Sequence, residues 1–384
     1  MKARNFLKNG SLVLLSFLFS IGVSEIIVRT FYPQVSEHDN LFQFDSDLGW
    51  TFIPNKKSNI IFPGEANHSI KTNKDGFRDS SFLNFEKESA KIFVLGDSFV
   101  SNISVKNEDV FTEILEQNLT NTSVLNLGVN GYGTVQEKLL LEKWLPKINP
   151  NLIVFVIYLR NDFADNLKET NWLYPRPTVA WKEETKTLEV LPFSISNFNN
   201  GNKNNSYWKF YKNLHLYHFI KNRSRNIKSN FLQKDTLSAN SYTPPESYLC
   251  RKVLSEETKL MYLTMEKLLV NISKTAQNKQ IPLVFVLAPS IVQVENNLWE
   301  AIAPPFSKKQ EEYSRTLPND TLMQFAKNNG LNMIDLLPML QAETEKGKIL
   351  YNPNEQHWTK EGNRLVANYL LSYITDKKFL HKID

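Results

Sequence analysis

A single cysteine, Cys250, stands among 384 residues, so no internal disulfide holds this chain together. No cluster of Cys and His has the spacing of metal ligands, and nothing in the sequence calls for a metal or an organic cofactor. Dense basic blocks are absent: the formal net charge of +5 is spread along the whole chain, which argues against nucleic acid as a partner. Internal repeats and low-complexity tracts are missing as well. With 41% hydrophobic and 22% charged residues, the composition is that of a globular protein with ample apolar content for a core. Scarce cysteine suits either a cytosolic protein or an envelope protein that avoids thiols, so composition leaves the compartment open.

The first thirty residues say more. Lys2, Arg4 and Lys8 precede an apolar run from Ser11 to Val23, which continues as Ile26, Ile27 and Val28 after one acid, Glu25. Positive charge ahead of an apolar segment is the pattern of a secretory signal or signal-anchor with its charges in the cytoplasm. No small-x-small cleavage site follows, since Arg29, Phe31, Tyr32 and Pro33 come directly after. Residues 1–32 are therefore expected to form an uncleaved membrane segment with Glu25 near the interface and the rest of the chain extracytoplasmic, periplasmic or extracellular. The competing reading is a buried amphipathic helix.

From Lys91 onward, short apolar runs alternate with segments of helical period. Ile92–Leu95, Val124–Leu127, Leu152–Tyr158, Leu283–Leu287 and Asn332–Asp335 read as strands. Between them fall a helix carrying Val110, Phe111, Ile114, Leu115 and Leu119 with Asn107 as its cap, and one opened by a Thr134/Glu137 capping box. A long helix begins near Ser255, and a last one carries Leu365, Val366, Tyr369, Leu370 and Tyr373. Strands apolar on both faces and separated by helices predict an α/β fold: a three-layer α/β/α domain on a mainly parallel five-stranded sheet, spanning 91–384. Residues 33–90 read as an irregular lead-in packed on that domain. Residues 167–250, with Trp172, Tyr174, Trp181, Trp208, Tyr211 and Tyr217 amid many Asn and Lys, read as an insertion near the rim of the site. Its stretch from about Asn222 to Pro245 is polar enough to be mobile.

In open α/β sheets, ligands bind beyond the carboxyl ends of the strands, and polar clusters fall at those ends here. Gly96-Asp97-Ser98 follows the first strand, Asn126 to Gly133 the second and Arg160-Asn161-Asp162 the third, with Asn354 to Thr359 just before the last helix. The ordered set GDS, NLGVNGYG, RND and HWT resembles the four blocks of the SGNH (GDSL-like) hydrolase superfamily over roughly residues 90 to 372. TNKDGFRD, from Thr72 to Asp79, is similar to a segment that precedes many membrane-anchored members. The resemblance implies Ser98 as nucleophile and His357 as its general base, because a serine hydroxyl needs an adjacent base to become nucleophilic. It also implies an oxyanion hole from the Ser98 backbone N–H, Gly131 and the Asn161 side chain. The motif is not the Gly-x-Ser-x-Gly elbow.

One departure stands out. The family usually places an aspartate three residues before the histidine, where this chain has Asn354. Glu355, two residues before, matches the Asp-x-His-Trp spacing of some polysaccharide-acetylating relatives and is the favoured third member. The alternatives are Asn354, or a backbone carbonyl completing a Ser-His dyad. Plainer readings stand beside these. Ser98 alone at a strand end is ordinarily an N-cap, and Asp97 is assigned a structural role in the turn. Asn161 alone would merely end its strand, and Arg160 and Asp162 form a local ion pair or touch substrate. Ser290 shapes its loop, and the insertion aromatics are packing residues or sugar platforms. His38, His68, His215, His218 and His381 have no motif context. Function is thus expected to be acyl-ester hydrolysis or O-acyl transfer through an acyl-Ser98 intermediate. The expected substrate is an acylated envelope or extracellular carbohydrate, with a small ester or lipid as the runner-up and a membrane partner as possible acyl donor. An inactive anchored glycan-binding protein is the alternative outside enzymes.

Overall fold

The computed structural model describes residues 2–34, 38–62, 66–79, 89–169, 174–182, 184–185, 187–193, 214–221, 223, 246–300 and 312–380. The chain divides into two compact units. One comprises Met1–Glu37, Asn59–Asn67 and Asn202–Tyr242; the other comprises His38–Ser58, His68–Gly201 and Thr243–Asp384.

In the first unit a helix runs from Lys2 to Phe31. Its Asn9–Phe31 portion is 23 residues long; the most apolar window of 18 residues within it has a mean hydropathy of 2.2, and only 6% of that window is buried. At about 1.5 Å per residue such a helix is long enough to cross a bilayer. Its apolar side chains face outward, which sets it apart from a buried core helix.

In the second unit the lead-in is more regular than the sequence predicts. Phe42–Asp45 (β1) and Gly49–Phe52 (β2) pair antiparallel with Phe42 opposite Phe52; Lys57–Phe62 (β3) pairs with Ala66–Lys71 (β4), a hairpin whose residues 59–62 and 66–67 belong to the first unit. Strands this short, with patchy burial, give no clear period in the sequence. Then come Ala90–Leu95 (β5), Thr122–Asn126 (β6) and Leu152–Tyr158 (β7). Thr178–Lys182 (β8) and Thr187–Leu191 (β9) form a hairpin, followed by Leu283–Ala288 (β10) and Met333–Asp335 (β11). The five-stranded sheet has the order β11-β10-β7-β5-β6 and is parallel throughout. Every residue of β7 and β10 is buried, which is why both read as unbroken apolar runs. The chain leaves β5 in one direction to reach β6 and returns on the other side as β7. The crevice for a ligand lies where that reversal occurs.

Helix caps depart from expectation at two places. The helix Phe111–Gln117 is capped by Val110, while Asn107 opens a short 3-10 turn, Asn107–Asp109, and its Oδ1 accepts from Arg78 Nε at 3.0 Å. The helix Thr134–Trp144 is capped by Gly133, whose N–H donates to Gln136 Oε1 at 3.3 Å, and Glu137 is buried. At Asn107 a long-range partner, Arg78, takes the group that local pattern assigned to the cap. Ser255 caps Glu256–Asn278 and Thr359 caps Lys360–Asp376.

The lead-in is stitched to the loops beyond β5 and β6. Trp50 Nε1 donates to Asn130 O at 2.9 Å, and Gln136 Nε2 donates to Leu48 O at 2.6 Å. Arg78 is 1% exposed. Its guanidinium donates to Ser101 O at 2.7 Å and to the carbonyls of Asn102 and Val105, while Asp79 Oδ2 accepts the Asn126 N–H at 2.6 Å. A planar fork satisfies several carbonyls at once, which a lysine ammonium cannot do in the same geometry. Replacing Arg78 with Ala is expected to lower unfolding stability by about 3 kcal/mol, because buried carbonyls lose a charged donor. Arg78→Lys should recover only part of that, with chemical denaturation as the readout; equal stability of wild type and Arg78→Ala would refute this role.

Candidate active site

Ser98 opens a short helix, Ser98–Ser101, directly after β5. Asp97 caps it, Oδ1 accepting from the Phe99 N–H at 2.8 Å, so the structural role assigned to Asp97 is what the turn displays. Asn102 ends the helix in the left-handed region, and its Nδ2 donates to Trp358 O at 3.1 Å, linking this turn to the loop that carries His357. The β6 loop comes equally close. A Cβ on Gly128 would lie 2.4 Å from the Ser101 nitrogen, so only glycine fits there. Gly131, further along the loop, has φ +77°. Ser101 Oγ donates to Asn130 Oδ1 at 2.7 Å and ties the loop to the helix.

The second arm lies between β11 and the last helix. Tyr351 and Trp358 form an antiparallel bridge that closes a tight loop. Within it the Asn352 N–H donates to His357 O, and the Gln356 N–H to Asn352 O, each at 2.8 Å. Gln356 takes φ +66°. The rings of Phe99 and His357 lie 5.1 Å apart, and Trp358 is wholly buried against Phe99.

These elements bring Ser98, His357 and Glu355 into one hydrogen-bonded chain. Ser98 Oγ and His357 Nε2 are 2.7 Å apart, and His357 Nδ1 and Glu355 Oε2 are 2.5 Å apart. The Glu355 carboxylate also accepts from Ser104 Oγ at 2.6 Å and from Asn352 Nδ2. Asn354 is exposed and is not the residue that meets His357 Nδ1. The His357 and Glu355 side chains are 23% and 12% exposed, so both are largely withdrawn from solvent.

Charge follows the same line. Burial alone would depress the His357 pKa, but the Glu355 hydrogen bond and charge, with a contribution from Asp97, hold it above the usual imidazole value. Burial likewise opposes ionisation of Glu355, yet the bonds from His357, Ser104 and Asn352 keep its pKa below that of an ordinary glutamate. Asp97 is pushed up to about 6 by burial, against the hydrogen bond from Phe99 and the attraction of His357. A hydroxyl on an imidazole whose other nitrogen is held by a carboxylate is the arrangement that general-base activation requires.

Asn161 sits at the end of β7, and its Nδ2 donates to Asp165 Oδ2 at 2.9 Å and Asp162 Oδ1 at 3.2 Å. Asp165 is in turn paired with buried Arg176 at 2.9 Å. Asp162 Oδ2 accepts the Tyr158 N–H at 2.8 Å. Arg160 donates to Gln356 Oε1 and lies 3.5 Å from Glu246, so it braces the His357 loop from the far end of the insertion. Ser290 caps the helix Ile291–Val294. Tyr174 packs on Phe44 and Trp181 lies beneath Lys267; Trp172, Trp208, Tyr211 and all of 222–245 except Arg223 lie outside the described residues. Sequence reasoning missed Ser104, Asn352 and Glu246. None belongs to a motif, and only Asn352, close to His357 in the chain, carried any local signal.

No family model matches the chain, and no curated protein matches it. Solved structures do. A lipolytic G-D-S-L family protein from Veillonella parvula is similar at 14% identity, covering 75% of this chain and 99% of its own, with a TM-score of 0.38. A lipase/acylhydrolase from Enterococcus faecalis shares 11% identity over 75% of this chain and 96% of its own, at 0.37. An acetyl xylan esterase shares 10% over 74% and 99%, at 0.38. In the order of its motifs the chain resembles the SGNH (GDSL-like) hydrolases.

Proposed function

We propose that this protein is a serine-dependent acyl-ester hydrolase or O-acyltransferase in which Ser98 is the nucleophile, His357 the general base and Glu355 the residue that orients the imidazole. The observation that carries this reading is the unbroken chain from Ser98 Oγ through His357 to Glu355, at 2.7 and 2.5 Å. His357 takes the Ser98 proton as Oγ attacks the acyl carbon, then returns it to the leaving alcohol; the acyl-Ser98 ester passes to water or to a sugar hydroxyl. Gly131 and Asn161 join the Ser98 N–H as donors to the oxyanion, Asn161 by turning to it the N–H it gives Asp162 at 3.2 Å while Asp165, paired with Arg176, keeps the other. The acid-to-histidine spacing of two residues resembles that of some polysaccharide-acetylating relatives, and that resemblance is the ground for choosing an acylated carbohydrate as substrate. The exposed apolar helix Asn9–Phe31 and the charges of Lys2, Arg4 and Lys8 support an anchor with the catalytic unit extracytoplasmic.

The first test is hydrolysis of p-nitrophenyl acetate by the full chain in detergent, alongside labelling by a fluorophosphonate. Ser98→Ala should abolish labelling, and Ser98→Ala and His357→Ala should each cut kcat by roughly 10⁴-fold or more. Asn161→Ala should lose about a hundred- to a thousandfold as an oxyanion donor. A folded wild type that neither turns over the ester nor reacts with the probe would favour the inactive glycan-binding alternative.

The pH profile tests Glu355 separately. The base works only when neutral, so kcat/KM should rise with pH through a midpoint above about 6.5, the usual imidazole value. Glu355→Gln removes the charge that favours imidazolium, so its midpoint should move to lower pH while kcat drops by about 10²- to 10⁴-fold. An unmoved midpoint would assign the orienting role elsewhere.

A further inference from the structure

Within the first unit, the acid that interrupts the apolar helix is not left to face lipid alone. Glu25 pairs with Arg29 at 3.0 Å, one turn on. Its two carboxylate oxygens also accept the backbone N–H groups of His215 at 3.0 Å and Leu216 at 2.7 Å. Those N–H groups belong to the first turn of a helix at 215–221, and first-turn donors have no partner inside their own helix. One carboxylate thus satisfies two orphan donors, while the helix supplies the partners that an acid beside a bilayer needs. The Gln34 N–H adds a third tie, donating to His215 Nδ1 at 2.8 Å, and the rings of Tyr32 and Phe219 lie 6.1 Å apart.

What this short helix presents is as telling as what holds it. Tyr217 is 42% and Ile220 58% exposed, three residues apart and hence on one face. Lys221 Nζ lies 5.5 Å from the Tyr217 ring, and the Arg223 guanidinium lies 5.7 Å from the Phe219 ring. Near the same end of the long helix, Ile26, Ile27, Phe31 and Tyr32 are exposed too. Aromatic and aliphatic side chains flanked by cations, held beside the end of an apolar 23-residue span, are the composition of an interfacial element.

We infer that helix 215–221, pinned on Glu25, is a second membrane contact that lies in the phosphate headgroup layer at the far end of the spanning helix. The occupant of its exposed Tyr217/Ile220 face is the lipid surface itself. Continuity with the span sets the depth, and Lys221 and Arg223 are complementary to lipid phosphates. This rests on the anchored reading above.

The test uses the full chain with Cys250→Ser and Ile220→Cys, labelled with an environment-sensitive fluorophore. The protein is reconstituted in phosphatidylcholine–phosphatidylglycerol vesicles containing a lipid with a nitroxide high on its acyl chain. Flotation with the vesicles reports the anchor; quenching reports the helix. The label at 220 should be quenched about twofold or more beyond the same label at Val253→Cys, an exposed position of the other unit. Adding Glu25→Ala, which makes the span more apolar, should reduce that quenching while flotation persists. Protein that floats but shows no excess quenching at 220, or none that depends on Glu25, overturns the inference and leaves the anchor standing. Protein that fails to float overturns both.

Discussion

A hydroxyl can be activated only if it is held at hydrogen-bond distance from its base, and here that constraint falls on one turn, Gly96 to Asn102. The turn is clamped from three directions. Arg78 holds its carbonyls from the lead-in side. Gly128 lets the β6 loop close to a distance no side chain would allow. Asn102 reaches across to the carbonyl of Trp358 and fixes the turn against the loop that carries His357. Each clamp comes from a different stretch of chain, so the geometry of Ser98 depends on the whole second unit being folded.

The sheet was legible because burial on both faces leaves an unbroken apolar run, as in Leu152–Tyr158, whose limits agree between sequence and structure. The α/β/α class and the strand-end position of each polar block follow from that. The lead-in strands were not legible: β1 and β2 are four residues each, too short to show a period. The cap expected at Asn107 misled for another reason. Local preference is worth about 1 kcal/mol, and a buried guanidinium in need of acceptors outweighs it.

Within the site, motif spacing pointed to Ser98, His357 and Glu355, and the structure brings the three together. Spacing has nothing to say about Ser104, which lies 251 positions from Glu355 and meets its carboxylate only through the tertiary fold. The same holds for the contacts of Arg160 with Gln356 and Glu246, each more than 80 positions away in the chain. Asn161 was legible as a position, whereas its tether to Asp165 and Arg176 was not.

The central strands β7 and β10 pair along six residues, yet residues 159–282 separate them in the chain. Closing a loop costs free energy that grows only with the logarithm of its length, by about 0.6 kcal/mol for each doubling. A segment lengthened between these two strands therefore taxes the sheet very little. Chain can be added or lost between β7 and β10 while the register of the sheet, and the turn that follows β5, stays as it is.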